Sequence, residues 1–285
     1  MGLLLNYFDK LLDQPQWLDT HVARIQRDNH AVTTIDVYSL STVPVEQYFN
    51  GTSLGTATAF IWERKEAFYL ITNWHVVTCR DHTEGKHLHT HAGEPNTLRA
   101  LLNPREQRFG KHVRDLPIRD PANKPRWLIH PYHKVDVVAI PLQPPDQEIR
   151  FLPINKLGQD PLDIQIGMDV FVLGYPFGAP PPSLPVWKRG SIASEPELAR
   201  LGHNYFLIDS ASRPGMSGAP VIRRSWGSHM LETGTLETLG SATKIVGVNS
   251  GRLATKDPLD AQLGVVWPES FITEIIDNGV YDTGA

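Results

Sequence analysis

Short apolar segments rich in Val, Ile, Phe and Tyr recur along this chain, and Gly, Pro, Asn and Asp separate them at close intervals. Such segments favour β-strands, and the separating residues favour turns. There are about eight of them, enough for a β-sandwich or β-barrels rather than one lone sheet. The pattern therefore predicts a mainly β fold. Examples are AVTTIDVYSL, VDVVAIPL, MDVFVLGYP and KIVGVNSG. Another, TATAFIWERKEAFYLITN, predicts two strands joined by the polar turn ERKE.

Helical periodicity is confined to the two ends of the chain and to the segment PELARLG. An amphipathic helix is predicted within an N-terminal extension, residues 1–28, and a second helix near the C-terminus, in ESFITEIID. A Pro-rich polar passage, PLQPPDQEIRFLPINKLGQDP, separates the strand-rich regions between them. We therefore expect one domain over residues 29–150 and another over residues 151–285.

Composition excludes several classes of function. The 285 residues carry a formal net charge of -4, and no cluster of Lys and Arg alternates with aromatic residues, so nucleic acid is not an expected partner. No segment is long and apolar enough for a transmembrane helix. The N-terminus does not read as a signal peptide, and the single cysteine, Cys79, cannot form an internal disulfide. These features predict a cytoplasmic protein.

One serine lies between two glycines in LIDSASRPGMSGAPVI, residues 207–222. A tight turn between two strands would explain this Gly-x-Ser-Gly string. Alternatively, Ser217 is a nucleophile, and Gly215 leaves room for backbone N–H groups that bind an oxyanion. The short string alone does not decide between these interpretations.

A nucleophilic serine needs a base, and the usual base is a histidine oriented by a carboxylate. His75 follows an apolar strand in FYLITNWHVVT, where Thr72 and Asn73 can cap a short helix. Asp136 precedes the apolar strand VVAIPL, where a charged carboxylate is costly unless it is paired. His130 and His133 are rival bases by their nearness in sequence, but we expect them on the surface or at the edge of the core.

The motifs around these three residues resemble those of trypsin-like serine peptidases, and within them the bacterial HtrA-type proteases. The histidine string T-N-x-H-V-V, the aspartate before two hydrophobic residues and Ala, and the serine string G-x-S-G-x-P occur in the family's order. VLGYPFG and IVGVNSG are similar to a strand near the family's substrate cleft and to the strand that lines its specificity pocket. These matches span about residues 55–255.

The resemblance implies two packed six-stranded antiparallel Greek-key β-barrels, besides the N-terminal and C-terminal helices. The first barrel would carry His75 and Asp136, and the second Ser217. It also implies a serine endopeptidase that cleaves a protein or peptide substrate through a His75–Asp136–Ser217 triad, without a cofactor. The backbone N–H groups of Gly215 and Ser217 would form the oxyanion hole.

The implied substrate-binding residues lie just before the serine and at the end of the pocket strand. Ala211, at the pocket floor, has no carboxylate to pair with a basic side chain, so tryptic specificity is not expected. Ala211 favours a small or aliphatic P1 residue, the residue whose carbonyl is attacked. An acidic P1 residue stays open if a nearby arginine turns inward. The implied substrate-binding residues are Ala211, Arg213, Ser250, Gly251 and Arg252.

Two departures from related proteins bear on regulation. Met216 stands where zymogen-type members have an aspartate that receives a newly cut N-terminus, so we expect a site ordered without such processing, or ordered by substrate or a partner. The chain ends too soon after residue 251 for the C-terminal PDZ domain of HtrA proteins. Assembly or regulation would then use the N-terminal helix, the loops or a separately encoded protein.

Three histidines, His87, His89 and His91, alternate in DHTEGKHLHTH and on a strand would share one face that could bind Zn²⁺ or Ni²⁺. The stretch reads better as a polar loop, so no metal site is expected.

Two other function classes compete with the endopeptidase. One is a catalytically silent or regulated binding or scaffold protein of the same fold. The other, an α/β-hydrolase esterase, is excluded because Ser217 is followed by Gly218, Ala219 and Pro220 and then a strand, rather than by a helix.

Overall fold

The computed structural model describes residues 22–26, 32–88, 93–106, 110–180, 183–199, 201, 204–253 and 263–283. Its strands form a two-stranded ribbon, a nine-stranded sheet and a closed barrel, all with antiparallel pairing. The ribbon and the first sheet contain β1 (Val22–Gln26), β2 (Val32–Asp36), β3 (Thr42–Phe49), β4 (Thr52–Arg64), β5 (Ala67–Thr72), β6 (Thr97–Pro104), β7 (His112–Pro117), β8 (Leu128–Ile129), β9 (Val138–Leu142) and β10 (Ile149–Arg150). The barrel contains β11 (Asp169–Gly174), β12 (Val186–Ile192), β13 (Phe206–Asp209), β14 (Pro220–Met230), β15 (Leu236–Arg252) and β16 (Leu263–Pro268), and β17 (Val280–Tyr281) follows it in the chain.

The second barrel closes in the order β11-β12-β13-β16-β15-β14. Three hairpin-connected strands, β14 to β16, bring β16 beside β13, which is a Greek-key arrangement. The predicted mainly β fold with two antiparallel units is confirmed. Six strands are found in this second barrel. The first sheet has nine, because the two-residue strands β8, β10 and β17 also pair within it.

The predicted hairpin at ERKE forms with a two-residue turn. β4 ends at Arg64 and β5 begins at Ala67, and both turn residues have positive φ, 51° at Lys65 and 63° at Glu66. Two central residues of positive φ match the right-handed twist of antiparallel strands. This hairpin matters for the site because β5 leads directly to His75.

Four helices and one 3₁₀ turn, Ile154–Lys156, accompany the strands among the described residues: α1 (Val37–Ser41), α2 (Trp74–Thr78), α3 (Pro196–Leu198) and α4 (Ser270–Asn278). α4 is the predicted C-terminal helix, with Phe271, Ile272 and Ile275 buried. None of these helices has the length and apolar character needed to cross a bilayer. Of residues 1–28, for which a helix was predicted, only Val22–Gln26 are described, and they form a strand. The rest of that prediction lies outside the described residues.

Three large apolar clusters form the core of the described residues, and a small fourth cluster contains Ile35 and Leu40. One fills the first sheet, a second fills the closed barrel, and the third lies between them. This third cluster includes Phe60 of β4, Leu173 of β11 and Ile272 of α4. The C-terminal helix therefore packs where the two sheets meet, and β17 after it pairs with β8 of the first sheet.

Thr58 of β4 joins the two units through hydrogen bonds. Its hydroxyl donates to the Gly215 carbonyl at 2.7 Å and accepts from the Tyr175 N–H at 3.2 Å. Its own N–H donates to the Ser217 carbonyl at 2.8 Å, and its carbonyl accepts the Thr72 hydroxyl at 2.9 Å. Thr58 is fully buried, so each of these bonds would be costly to lose.

Replacing Thr58 with Val should lower the free energy of unfolding by about 1–3 kcal/mol, because two buried polar groups would lose their partner while the side-chain shape is kept. Urea unfolding of both proteins measures this. Thr52→Val, at an exposed position of the same strand, is the matched control and should stay within about 0.5 kcal/mol. Equal unfolding midpoints for Thr58→Val and the wild type would contradict the role given to Thr58.

Candidate active site

His75 is placed by a strand-to-helix junction. β5 ends at Thr72, and α2 begins at Trp74 and ends where Cys79 takes the left-handed conformation. Asn73 occupies the N-cap position, but its side chain does not cap the helix as predicted. Its amide donates to the Asp136 carbonyl at 2.7 Å instead. The junction therefore ties His75 to the segment that carries Asp136.

Asp136 is a fully buried carboxylate with three hydrogen-bond donors. One oxygen, Oδ1, accepts from the His75 N–H at 2.9 Å, and Oδ2 lies 2.7 Å from His75 Nδ1. The Ser250 hydroxyl also donates to Oδ2. The sequence argument that this carboxylate needs a partner is therefore met by the backbone and the ring of His75.

The pair stabilises the charged forms of both residues. Burial opposes ionisation of Asp136, but the charge of His75 and its hydrogen bond hold the Asp136 pKa below its usual range. Burial likewise lowers the pKa of His75, but the charge and hydrogen bond of Asp136 outweigh it, so the His75 pKa is raised. A charged Asp136 requires a proton on Nδ1, which leaves Nε2 of neutral His75 as an acceptor.

Ser217 lies in the second of two consecutive turns, residues 213–216 and 216–219. Met216 N–H donates to the Arg213 carbonyl at 3.0 Å, and Ala219 N–H donates to the Met216 carbonyl at 3.2 Å. The third residue of each turn is a glycine of positive φ, 93° at Gly215 and 80° at Gly218. This is the geometry that favours glycine, and it supports the turn interpretation of the string without excluding the nucleophile interpretation.

Both glycines lie too close to neighbouring backbone for a side chain. A Cβ on Gly215 would lie 2.3 Å from the Tyr175 carbonyl oxygen. A Cβ on Gly218 would lie 2.2 Å from the Thr58 carbonyl oxygen and 2.3 Å from Thr72 Oγ1. Because Thr72 ends the strand that leads to His75, the Ser217 turns are packed against the His75 segment.

The Ser217 hydroxyl and the N–H groups of Gly215 and Ser217 form no hydrogen bonds within the part of the chain that the structure describes. The Ser217 hydroxyl makes no hydrogen bond there, and so none to His75. The N–H groups of Gly215 and Ser217 likewise donate to no described group. Ser217 itself is partly exposed. Two N–H groups beside a partly exposed serine can bind a carbonyl oxygen that gains charge.

Asn249 and Ser250 connect the Ser217 turns to Asp136. The Asn249 side-chain amide donates to the Met216 carbonyl at 2.8 Å, and its backbone carbonyl accepts from the Gly218 N–H at 2.9 Å. The next residue, Ser250, donates to Asp136. The sequence identified Ser250 as a pocket residue through the resemblance, but no sequence pattern pointed to this contact with Asp136.

The other predicted pocket residues lie along the same two segments. Ala211 is partly buried, whereas Arg213 and Arg252 are exposed. Gly251 has φ of 110°, and a Cβ there would meet no atom within 4 Å, so the space beside it is open. The structure therefore puts both arginines at the surface and leaves room next to the strand that carries Ser250.

A cavity of about 230 Å³ lies beside Gly215 and was not predicted. Thr56 and Tyr175 line it, and a Cβ on Gly215 would be 3.3 Å from Thr56 Oγ1. Glu46 and Arg99 supply its charged groups. None of the three predicted triad residues lines this cavity, so it adjoins the Ser217 turns rather than containing the His75–Asp136 pair.

The rival histidines are separate from this site. His130 is buried and lies 3.1 Å from the Glu274 carboxylate, and His133 is exposed. Among the described residues, no three or more His, Cys, Asp or Glu side chains are placed to hold a metal ion. His89 and His91 of the histidine-rich stretch lie outside those residues, and His87 is exposed.

The fold, a nine-stranded antiparallel sheet and a closed six-stranded barrel, and these residues are those of the trypsin-like class, and comparison of sequences agrees. A model of the trypsin-like peptidase domain matches residues 57–227, more than half of the chain, and this range contains His75, Asp136 and Ser217. The chain therefore belongs to the trypsin-like peptidase family and carries the domain of a serine protease. No curated protein matches the chain.

Two solved structures are similar to this one at low identity. A serine endoprotease from Yersinia pestis is 15% identical with a TM-score of 0.47, and the match covers 85% of this chain and 65% of that one. This chain thus spans just under two thirds of the length of the Yersinia protein. Deg5 is 15% identical with a TM-score of 0.45, over 82% of this chain and 86% of Deg5.

The imidazole of His75 should titrate above the ordinary histidine pKa of about 6.5, and Asp136→Asn should lower that pKa because the stabilising charge is removed. Ring-nitrogen NMR as a function of pH measures both values. Ser250→Ala is the control: it removes one hydrogen bond but keeps the Asp136 charge, so the shift should be smaller. A His75 pKa that is the same in Asp136→Asn and the wild type would refute this electrostatic coupling.

Proposed function

We propose that the protein is a serine endopeptidase in which Ser217 is the nucleophile, His75 the general base and Asp136 the residue that orients His75. The observation that carries the proposal is the buried Asp136–His75 pair, which leaves Nε2 of the imidazole free to accept a proton. The packing of Gly218 against Thr72 supports it, since it holds the serine turns against the segment that carries His75.

The reaction begins with attack of Ser217 Oγ on the peptide carbonyl carbon, while His75 Nε2 takes the hydroxyl proton. Asp136 stabilises the imidazolium that forms, and the raised pKa of His75 is favourable for this step. The imidazolium then gives its proton to the leaving amine nitrogen. A water molecule, deprotonated by His75, hydrolyses the ester between Ser217 and the acyl group.

The N–H groups of Gly215 and Ser217 bind the oxyanion in both steps. They donate to no other described group, so they can serve this purpose without breaking a bond in the free protein. The hydroxyl of Thr58 helps to fix the position of these N–H groups, because it donates to the carbonyl of Gly215 itself.

The turns take this form without a new N-terminal amine. Met216 is 1% exposed and packs among the apolar side chains of the second barrel. An apolar side chain in that position anchors the turn by burial rather than by an ion pair. The proposed enzyme is therefore active without cleavage of an N-terminal segment.

A catalytically silent or regulated peptidase-fold protein is the second candidate. The observation in its favour is that the Ser217 hydroxyl makes no hydrogen bond to His75. In active sites without substrate such bonds are often long and form only when the substrate is present, so the endopeptidase remains the better-supported function.

Ser217→Ala should lower kcat/KM for peptide hydrolysis by about 10⁴-fold or more, because the nucleophile is lost while the fold is kept. Hydrolysis of a quenched fluorescent peptide library by the full chain measures this. Ser53→Ala, at an exposed position in β4, is the matched control and should keep wild-type activity. Full activity in Ser217→Ala would exclude the nucleophile, and an inactive wild-type protein would favour the silent alternative.

A further inference from the structure

Lys188 lies on β12 with its side chain directed into the second barrel. It pairs across the strands with Val172, which is 2% exposed and belongs to the barrel's inner cluster. Paired residues of antiparallel strands point to the same face of the sheet. The next residue, Arg189, points outward: its side chain is 68% exposed and pairs with Asp169. A lysine among the inward positions of a barrel calls for a physical reason.

The Lys188 ammonium reaches the segment that leads to Ser217. Its Nζ donates to Ser210 Oγ at 3.1 Å, and Ser210 is 6% exposed. Two residues further on, Ser212 accepts a hydrogen bond from the Asn249 side chain at 3.3 Å. The ammonium therefore lies against the segment formed by residues 210–213, and Ser212 of this segment is bonded to the strand carrying Asn249.

A third segment borders the same region. A Cβ on Gly264 would lie 3.1 Å from the Ser210 carbonyl oxygen. Gly251, on the strand opposite Ser212, has open space beside it. Because the Asn249 amide donates both to Ser212 Oγ and to the Met216 carbonyl, an acyl group bound to Ser217 would lie next to these segments. Lys188, which is bonded to Ser210, thus borders the region that the side chain of this acyl group would enter.

Two charges act on Lys188: that of Arg213 and, in the opposite sense and more weakly, that of Asp209. No carboxylate of the described residues forms an ion pair with Lys188 or with Arg213. Burial and the charge of Arg213 lower the pKa of Lys188, while the charge of Asp209 opposes them. Two neighbouring cations, one of them partly buried, are stabilised by an anion bound between them.

We propose that Lys188, with Arg213, selects substrates with Glu or Asp as the P1 residue. The inference rests on the proposed endopeptidase function and names its substrate class. Ala211 is compatible with it, because its small side chain leaves the approach to Lys188 open. The carboxylate of the substrate would accept a hydrogen bond from Lys188 and lie close to the guanidinium of Arg213.

The test compares the wild type with Lys188→Met on peptides that differ only in Glu, Leu or Lys at P1. For the wild type, kcat/KM for the Glu peptide should be at least about 10-fold higher than for the Leu peptide. A charge-assisted hydrogen bond supplies a factor of about this size. In Lys188→Met, kcat/KM for the Glu peptide should fall about 10- to 100-fold. The value for the Leu peptide should change by less than about 3-fold.

Arg189→Met is the matched control. It also replaces a cation with methionine, at the adjacent residue of the strand. Because the Arg189 side chain points outward and pairs with Asp169, it takes no part in P1 selection, and the preference for Glu should persist. Arg213→Met supplies a second variant at an exposed position, which keeps the inference testable if Lys188→Met does not fold. It should lower the Glu-to-Leu ratio by about 3- to 10-fold.

The outcomes separate this inference from the proposed function. A wild-type protein that prefers Leu, or a Glu preference that survives both Lys188→Met and Arg213→Met, overturns the acidic specificity and leaves the endopeptidase in place. If the protein cleaves none of the peptides and Ser217 reacts with neither the Glu nor the Leu diphenyl phosphonate, both the acidic specificity and the endopeptidase function are overturned.

Discussion

The buried carboxylate of Asp136 is the interaction on which the geometry of this site depends. It accepts the backbone N–H and the ring of His75 from the first unit and the hydroxyl of Ser250 from the second. An unpaired charge at a fully buried position would be strongly destabilising, on the order of 3–5 kcal/mol, so these donors are held in place by the cost of losing them. Asp136 thereby fixes the imidazole and joins the two units at once.

Thr58 and Asn249 extend this constraint to the serine. Thr58 holds the carbonyls of Gly215 and Ser217 from the side of the first sheet, while Asn249 holds the carbonyl of Met216 from within the second barrel. The turns between them need glycine at positions 215 and 218, where a side chain would collide with backbone. The Gly-x-Ser-Gly segment, which could have been only a turn, therefore also forms contacts between the two units.

Much of this arrangement could be predicted from local patterns. The ERKE hairpin, the buried face of α4 and the need of Asp136 for a partner each follow from spacing or burial cost. The two-residue strands β10 and β17 could not be predicted, since two residues show no periodicity. The role of Lys188 was also missed: VWKRGSI reads as a strand with a polar edge, and only the pairing with Val172 shows which way its lysine points. The cytoplasmic location stays a prediction.

The most direct measurement is the position of a fluorophosphonate adduct, found by intact mass and then by peptide mapping of the full chain. A working nucleophile that is activated by His75 and Asp136 predicts one phosphonyl group per chain, on Ser217, and no such group in His75→Ala. A wild-type chain that remains unmodified, or an adduct on any other residue, would contradict the assignment of Ser217 as the nucleophile.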